Sequence, residues 1–126
     1  MSLSAGVDLV ELDRIARAVE RYGDRFLARI YTPAELAHCR GRVPELGARF
    51  AAKEAVSKAL GVGMNHLSAE GVGWHEVEVL SDRRGKPFLK LSGRAEALAG
   101  ELGLREWAVS LSHERAYAMA FVVASG

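Results

Sequence analysis

Arg49-Phe50-Ala51-Ala52-Lys53-Glu54-Ala55-Val56-Ser57-Lys58-Ala59-Leu60-Gly61 is the stretch around which the rest of the chain is organised. At about 3.6 residues per turn, Ala51, Ala52, Ala55, Val56, Ala59 and Leu60 fall on one apolar face, while Lys53, Glu54, Ser57 and Lys58 share the other. The spacing predicts an amphipathic helix, stopped by Gly61 because a left-handed residue past a helix end costs glycine little. Its polar face has two readings. It is a solvated surface in which Glu54 and Lys58, at i and i+4, attract each other by a few tenths of a kcal/mol. Alternatively, a carboxylate between two ammonium groups is laid out for a metal ion and phosphate oxygens together.

The chain has 126 residues, which fits one domain over 1–126 and no second core. Lysine and arginine number 17 against 16 aspartates and glutamates, a formal net charge of +1. So small an excess points to neither nucleic acid nor a membrane surface as a partner, and any basic site must be local. Cys39 is the only cysteine, which rules out an intrachain disulfide and a cluster of thiolate ligands and suits a reducing cytoplasm. Asp8, Glu11 and Asp13 interrupt the N-terminal region where an export signal would be apolar, and the longest apolar run, Ala116 to Ala124, is too short to span a bilayer. A cytoplasmic protein is expected.

Residues Leu3 to Val10 read as a short strand, with Val7 and Leu9 on one face and Asp8 on the other. From Glu11 to Tyr22, Leu12, Ile15, Val19 and Tyr22 recur at helical spacing, and Arg14, Arg17 and Arg21 share another flank as a basic stripe. That stripe is either a solvated face or a docking surface for an acidic partner. Thr32-Pro33-Ala34-Glu35 starts a helix to about Arg40, with a threonine cap, proline in the first turn and glutamate placed to complete a capping box. Gly41, Pro44 and Gly47 read as a loop before the central helix. Gly61, Gly63, Gly71 and Gly73 punctuate a longer connection after it, with room to be mobile.

Trp74 to Leu80 reads as a strand with Val77 and Val79 inward and Glu76 and Glu78 outward, turning through Ser81 to Pro87 into a second strand, Phe88 to Leu91. Arg94 to Leu102 reads as a helix capped by Ser92 and ended by Gly103. Trp107, Val109 and Leu111 alternate with Ala108, Ser110 and Ser112, and a last strand from Tyr117 to Val123 completes a hairpin with His113 at its turn. The expected fold class is α+β: one twisted, mostly antiparallel sheet from the first strand and both hairpins, with helices packed on one side.

Four blocks, Gly6-Val7-Asp8-Leu9-Val10-Glu11, Arg49-Phe50-Ala51-Ala52-Lys53-Glu54-Ala55, Gly85-Lys86-Pro87 and Val109-Ser110-Leu111-Ser112-His113, resemble in this order the bacterial small type of 4'-phosphopantetheinyl transferase, holo-acyl-carrier-protein synthase. The resemblance covers nearly the whole chain. It implies transfer of the phosphopantetheine arm of coenzyme A to a serine of an apo acyl carrier protein, with release of adenosine 3',5'-bisphosphate. It also implies magnesium and a homotrimer with each active site at a subunit interface.

Residue by residue, the resemblance makes Asp8 and Glu54 the magnesium-binding carboxylates, which suits an ion that prefers hard oxygen ligands. Lys58 would neutralise diphosphate charge moving onto the leaving group, since nearby positive charge and positioning dominate such barriers. The serine proton goes to Glu54, to a metal-bound water or to Asp8, with Glu54 acting through such a water the preferred expectation. His113 is expected to contact phosphate or orient a group. Arg49 and Lys53 are expected at the nucleotide phosphates, and Gly85, Lys86 and Pro87 beside the nucleotide. Arg14 and Arg21 match positions that meet the carrier's acidic helix, with Arg17 and Arg25 adding to the field. The carrier itself is left open between fatty acid synthesis and polyketide synthesis. Two further readings remain: a coenzyme A-binding module without turnover, and an interaction protein that uses only the arginine face.

Overall fold

The computed structural model describes residues 2–66 and 69–126. In chain order it forms β1 (Leu3–Glu11), α1 (Leu12–Tyr22), α2 (Asp24–Ile30), α3 (Pro33–Cys39), α4 (Val43–Leu60), a short 3-10 turn at Trp74–Glu76, β2 (Val77–Ser81), β3 (Pro87–Leu91), α5 (Gly93–Glu101), β4 (Glu106–His113) and β5 (Tyr117–Ser125). The class is α+β, as expected. The sheet is divided: β1, β5 and β4 make one antiparallel sheet in that order, and β2 pairs only with β3. The middle hairpin therefore stands apart from the sheet it was expected to join. Its inward residues Val77 and Val79 are needed on the flank of α4 that the larger sheet does not cover.

Helix α4 is longer than the sequence reading and buried on more of its circumference. It begins at Val43, so Pro44 and Gly47 belong to the helix rather than to a loop. Proline is tolerated in a first turn, where its missing N–H has no intrahelical partner anyway. Gly47 is required by contact, since a Cβ there would meet Leu12 and Ala118. With the sheet on one side and the hairpin on the other, Arg49, Lys53 and Ser57 are buried along with the alanines. Of the expected polar quartet, only Glu54 and Lys58 keep contact with solvent.

The helix and the sheet approach closely because both faces are small. Ala118, Ala120, Val122 and Ala124 of β5 are buried beneath Ala51, Ala52, Ala55 and Ala59 of α4. At Gly6 of β1 the approach is tighter still, and a Cβ would collide with the Ala55 carbonyl oxygen.

Several local signals act as read, and two act differently. Thr32 caps α3 in a complete capping box with Glu35. At α5, Ser92 occupies the cap position without a side-chain hydrogen bond; the Glu76 carboxylate, expected to face outward, instead accepts from the Arg94 amide at 2.7 Å and the Gly73 amide at 2.6 Å. In the connection after Gly61, Met64 and Val72 form a parallel bridge and are both fully buried, so this stretch is pinned to the core at two points. Leu67 and Ser68 of that connection lie outside the described residues.

Lys53 holds these parts together. Its ammonium donates to Glu35 Oε1 at 2.8 Å, Trp74 O at 2.9 Å and Val77 O at 2.7 Å, so all three donors are used. Glu35 in turn accepts from the Thr32 amide through Oε1 and the Val79 amide through Oε2. Removing one partner leaves an uncompensated buried charge, so Lys53→Met alone is expected to lower the unfolding free energy by about 3–5 kcal/mol in urea titration. The double variant Glu35→Gln/Lys53→Met should cost clearly less than the sum of the two single changes.

Candidate active site

Two clusters of candidate site residues lie along α4, each built by a different row of residues one turn apart. Glu54 and Lys58 point towards β1, where Asp8, unlike its neighbours Val7 and Leu9, faces inward. Lys58 Nζ donates to Asp8 Oδ1 at 2.8 Å and to the Val7 carbonyl at 3.1 Å. Its side chain is still 53% exposed, so it can turn towards a ligand without breaking the core.

Glu54 is half-buried beside this pair. Its carboxyl pKa is raised, first by burial and then by the negative charge of Asp8, while His66, Lys58 and Arg14 act in the opposite direction. Asp8 is thus close enough to oppose the ionisation of Glu54. His66 is held at the site by stacking on Trp74, with ring centroids 5.3 Å apart, and Trp74 stacks on Phe50 at 4.9 Å. Its contribution was not legible in the sequence, because the loop that carries it has no periodic pattern.

The second cluster surrounds a cavity of about 360 Å³ whose lining includes Arg49, Lys86, His113 and Glu45. The Gly85-Lys86-Pro87 turn borders it. Arg49 is only 3% exposed. Its Nη1 donates to Glu45 Oε2 at 3.0 Å and its Nη2 to Ser81 Oγ at 3.3 Å, while its buried Nε has no hydrogen-bond partner. A guanidinium buried in this way with an unused donor suits an anion such as phosphate. Glu45 and His38 complete the cluster and were not singled out in the sequence. The i, i+4 spacing of Glu45 and Arg49 was the available signal.

One assignment is corrected. Lys53 was expected at a nucleotide phosphate, but it is fully buried with its three donors committed to Glu35, Trp74 and Val77. It is a structural anchor and is out of reach of a ligand. The sequence pattern could not separate Lys53 from Lys58, since both sit among the same helix-forming residues.

The two clusters do not meet within one chain. Asp8 pairs with Ala120 and Leu111 pairs with the same Ala120, so β5 runs between the strand of Asp8 and the strand of His113. At the usual strand spacing this separates the two strands by roughly 10 Å. Arg14, Arg17, Arg21 and Arg25 are exposed on α1 and α2. Arg17 lies 3.5 Å from Asp13, and the Arg21 guanidinium sits 5.3 Å from the centre of the Tyr22 ring. Arg14 connects this face to the first cluster through its effect on Glu54. Among the described residues no helix is long and apolar enough to cross a membrane.

The family described as the 4'-phosphopantetheinyl transferase superfamily matches residues 4–122. A holo-[acyl-carrier-protein] synthase of Herpetosiphon aurantiacus is 52% identical over 126 residues, covering 98% of this chain and 99% of that protein. Among solved structures, the Helicobacter pylori holo-[acyl-carrier-protein] synthase in complex with coenzyme A aligns with a TM-score of 0.85 at 30% identity, covering 96% of this chain and 99% of that one. A holo-(acyl-carrier-protein) synthase from Bacillus anthracis in complex with CoA (3',5'-ADP) aligns with a TM-score of 0.78 at 32% identity, covering 100% of both chains. With a matching family model over nearly its whole length and relatives of this identity, the chain belongs to the 4'-phosphopantetheinyl transferase superfamily.

Proposed function

We propose that this chain, acting as a single domain over residues 1–126, is a magnesium-dependent holo-acyl-carrier-protein synthase. It transfers the 4'-phosphopantetheine group from coenzyme A to a serine of an apo acyl carrier protein and releases adenosine 3',5'-bisphosphate. The observation that carries this is the crossing of β1 and α4, where Asp8, Glu54 and Lys58 converge in a chain of this superfamily.

The donor set suits magnesium. Asp8 and Glu54 offer hard carboxylate oxygens, and a divalent cation held by them would offset the negative charge with which Asp8 opposes the ionisation of Glu54. Held by Asp8 and Glu54, magnesium would supply positive charge to polarise the phosphoryl group under attack. In the transfer, the serine oxygen forms a bond to the β-phosphorus, the bond from that phosphorus to the bridging oxygen breaks, and the bisphosphate leaves with the electron pair. Lys58 stabilises the negative charge that collects on the leaving phosphate. Glu54 is the group of this chain that takes the serine proton; its position beside Asp8 supports that role.

Arg49, Lys86 and His113 hold the remaining phosphate of the nucleotide half, supported by the unused Nε of Arg49. The diphosphate belongs with the carboxylate pair, so the phosphate left for this cavity is the 3'-phosphate. Arg14, Arg17, Arg21 and Arg25 dock an acidic face of the carrier, which their exposure and their continuity with Glu54 support. The carriers served are those of fatty acid synthesis, of polyketide synthesis, or of both, in the cytoplasm.

A homotrimer with interfacial active sites accounts for two further facts. The outer face of the larger sheet exposes Val7, Leu9, Tyr117, Met119 and Phe121 in adjoining register, an apolar patch of the kind that marks an interface. The two clusters kept apart within one chain can face each other across such a contact.

The transfer is checked by intact mass of an apo acyl carrier protein after incubation with coenzyme A and magnesium. A phosphopantetheine-sized gain is expected, falling by about a hundredfold or more in rate in Asp8→Ala and Glu54→Ala and disappearing with a chelator. Bound coenzyme A without any gain across several carriers would leave only a binding module. The assembly is checked by co-refolding inactive Asp8→Ala and His113→Ala chains. If each site is shared between subunits, about a quarter of the sites regain both residues and activity returns; if each site lies within one chain, none does.

The pH dependence follows from Glu54. The folded chain holds its proton more tightly than the unfolded chain, so the resulting stability is present below the ordinary glutamate pKa and is lost as pH rises through the raised value. In metal-free protein, Glu54→Gln is therefore expected to raise Tm at about pH 7 and to leave it close to that of the unsubstituted chain at about pH 4. Asp8→Asn should move the carboxyl titration of Glu54, followed by carbon NMR, towards the ordinary range.

A further inference from the structure

In the cavity assigned to the 3'-phosphate, the Arg49 guanidinium already has an anionic partner. Glu45, in the first turn of α4, places Oε2 at 3.0 Å from Arg49 Nη1 and 3.3 Å from His38 Nε2, and Oε1 at 3.9 Å from His113 Nε2. One carboxylate thus stands among the side chains on which the proposed phosphate depends. We propose that Glu45 is a built-in competitor for that phosphate, weakening the hold on coenzyme A and speeding release of adenosine 3',5'-bisphosphate. The inference rests on the function proposed above and concerns a residue to which that function gives no role.

Glu45 has two opposing effects, and the geometry decides between them. It aligns Arg49, which favours an incoming anion, and it brings a negative charge into the same cavity, which opposes one. The alignment does not depend on Glu45 alone. Arg49 is 3% exposed, and its other guanidinium nitrogen, Nη2, donates to Ser81 Oγ at 3.3 Å. Nη1 also reaches the Glu45 main-chain carbonyl at 3.4 Å, a contact that survives any side-chain change. Packing and these two bonds keep the guanidinium in place when the carboxylate is neutralised. The charge effect has no such substitute, because in a partly buried cavity the repulsion between carboxylate and phosphate is only weakly screened.

The product carries the same phosphate as the substrate. A carboxylate ready to take back Arg49 and His113 therefore lowers the barrier to product departure, a step that limits turnover in many enzymes. Glu45 is in this sense a positioning residue for the empty cavity and a specificity-determining one for the ligand.

The test uses the full chain and its Glu45→Gln and Glu45→Asp variants. Calorimetric binding of adenosine 3',5'-bisphosphate is compared with that of adenosine 5'-monophosphate, alongside KM for coenzyme A. Glu45→Gln is expected to tighten the bisphosphate about tenfold and to lower KM for coenzyme A similarly, with less than about a twofold change for the monophosphate. Glu45→Asp keeps the charge and should stay within about threefold of the parent for the bisphosphate. Unchanged or weaker bisphosphate binding by Glu45→Gln, or equal tightening for both nucleotides, overturns the inference. If the unsubstituted chain transfers phosphopantetheine while Glu45→Gln fails to tighten, the inference alone falls. If the unsubstituted chain makes no holo carrier, the proposed function falls whatever Glu45 does.

Discussion

The buried contact between Lys53 and Glu35 is the constraint on which the site depends. Taking both charges out of water is costly, and the cost is offset only because every donor of the ammonium and both oxygens of the carboxylate have partners. A pair satisfied in this way has one geometry. It fixes α4 against α3 and β2 and so sets the rotation of the helix about its axis. On a helix so fixed, Glu45, Arg49, Lys53 and Ser57 form one row at intervals of four, and Glu54 and Lys58 form another. The first row meets the hairpin and opens at its N-terminal end into the cavity. The second row meets β1. The two clusters are therefore two faces of one orientation, and the buried lysine aligns the residues proposed to reach substrate.

The distance between helix and sheet is set separately, by small residues. Gly6 admits the backbone of α4, and the alanines of β5 let the helix settle onto the sheet. Asp8 lies two residues beyond Gly6 on the same face of β1, so the depth of that contact decides whether its carboxylate reaches Lys58 and Glu54. The ion pair at 2.8 Å is the result. A larger residue at Gly6 would lift the strand from the helix and separate the carboxylates, so a packing feature governs the proposed metal site.

Much of this was legible in the sequence, and the exceptions have specific causes. The strand of Asp8, the capping box of Thr32 and Glu35, and both hairpins follow from local patterns that the tertiary structure does not override. Periodicity also places Glu54 and Lys58 on a single ridge. It cannot assign Lys53, since solvent and interior differ there only through Glu35, Trp74 and Val77, which lie far away in sequence. Pro44 was ambiguous for a simpler reason: proline before a helix and proline in its first turn look alike. Glu76 has the alternation of an outward strand residue, and only the arrival of α5 gives its carboxylate the Arg94 amide to accept from. The division of the sheet was likewise hidden, because strand signals do not say which strands will pair.

Along β1, site and surface are joined by the two-residue period of the strand. Asp8 points to α4, and its neighbours Val7 and Leu9 point to the exposed side, opposite Phe121 and Met119 of β5. The outer side chains cannot shift register without exchanging places with Asp8, since a slip of one residue reverses both faces of the strand. A subunit seated on the outer face would hold β1 in the register that presents Asp8 to Glu54 and Lys58. In the proposed assembly the apolar patch therefore has two roles. It buries surface that water disfavours, and it stabilises the strand that carries half of the carboxylate pair. In that assembly oligomerisation and the proposed metal binding would be coupled through a single strand, so loss of the interface would weaken the cation site even where no residue of that site has changed.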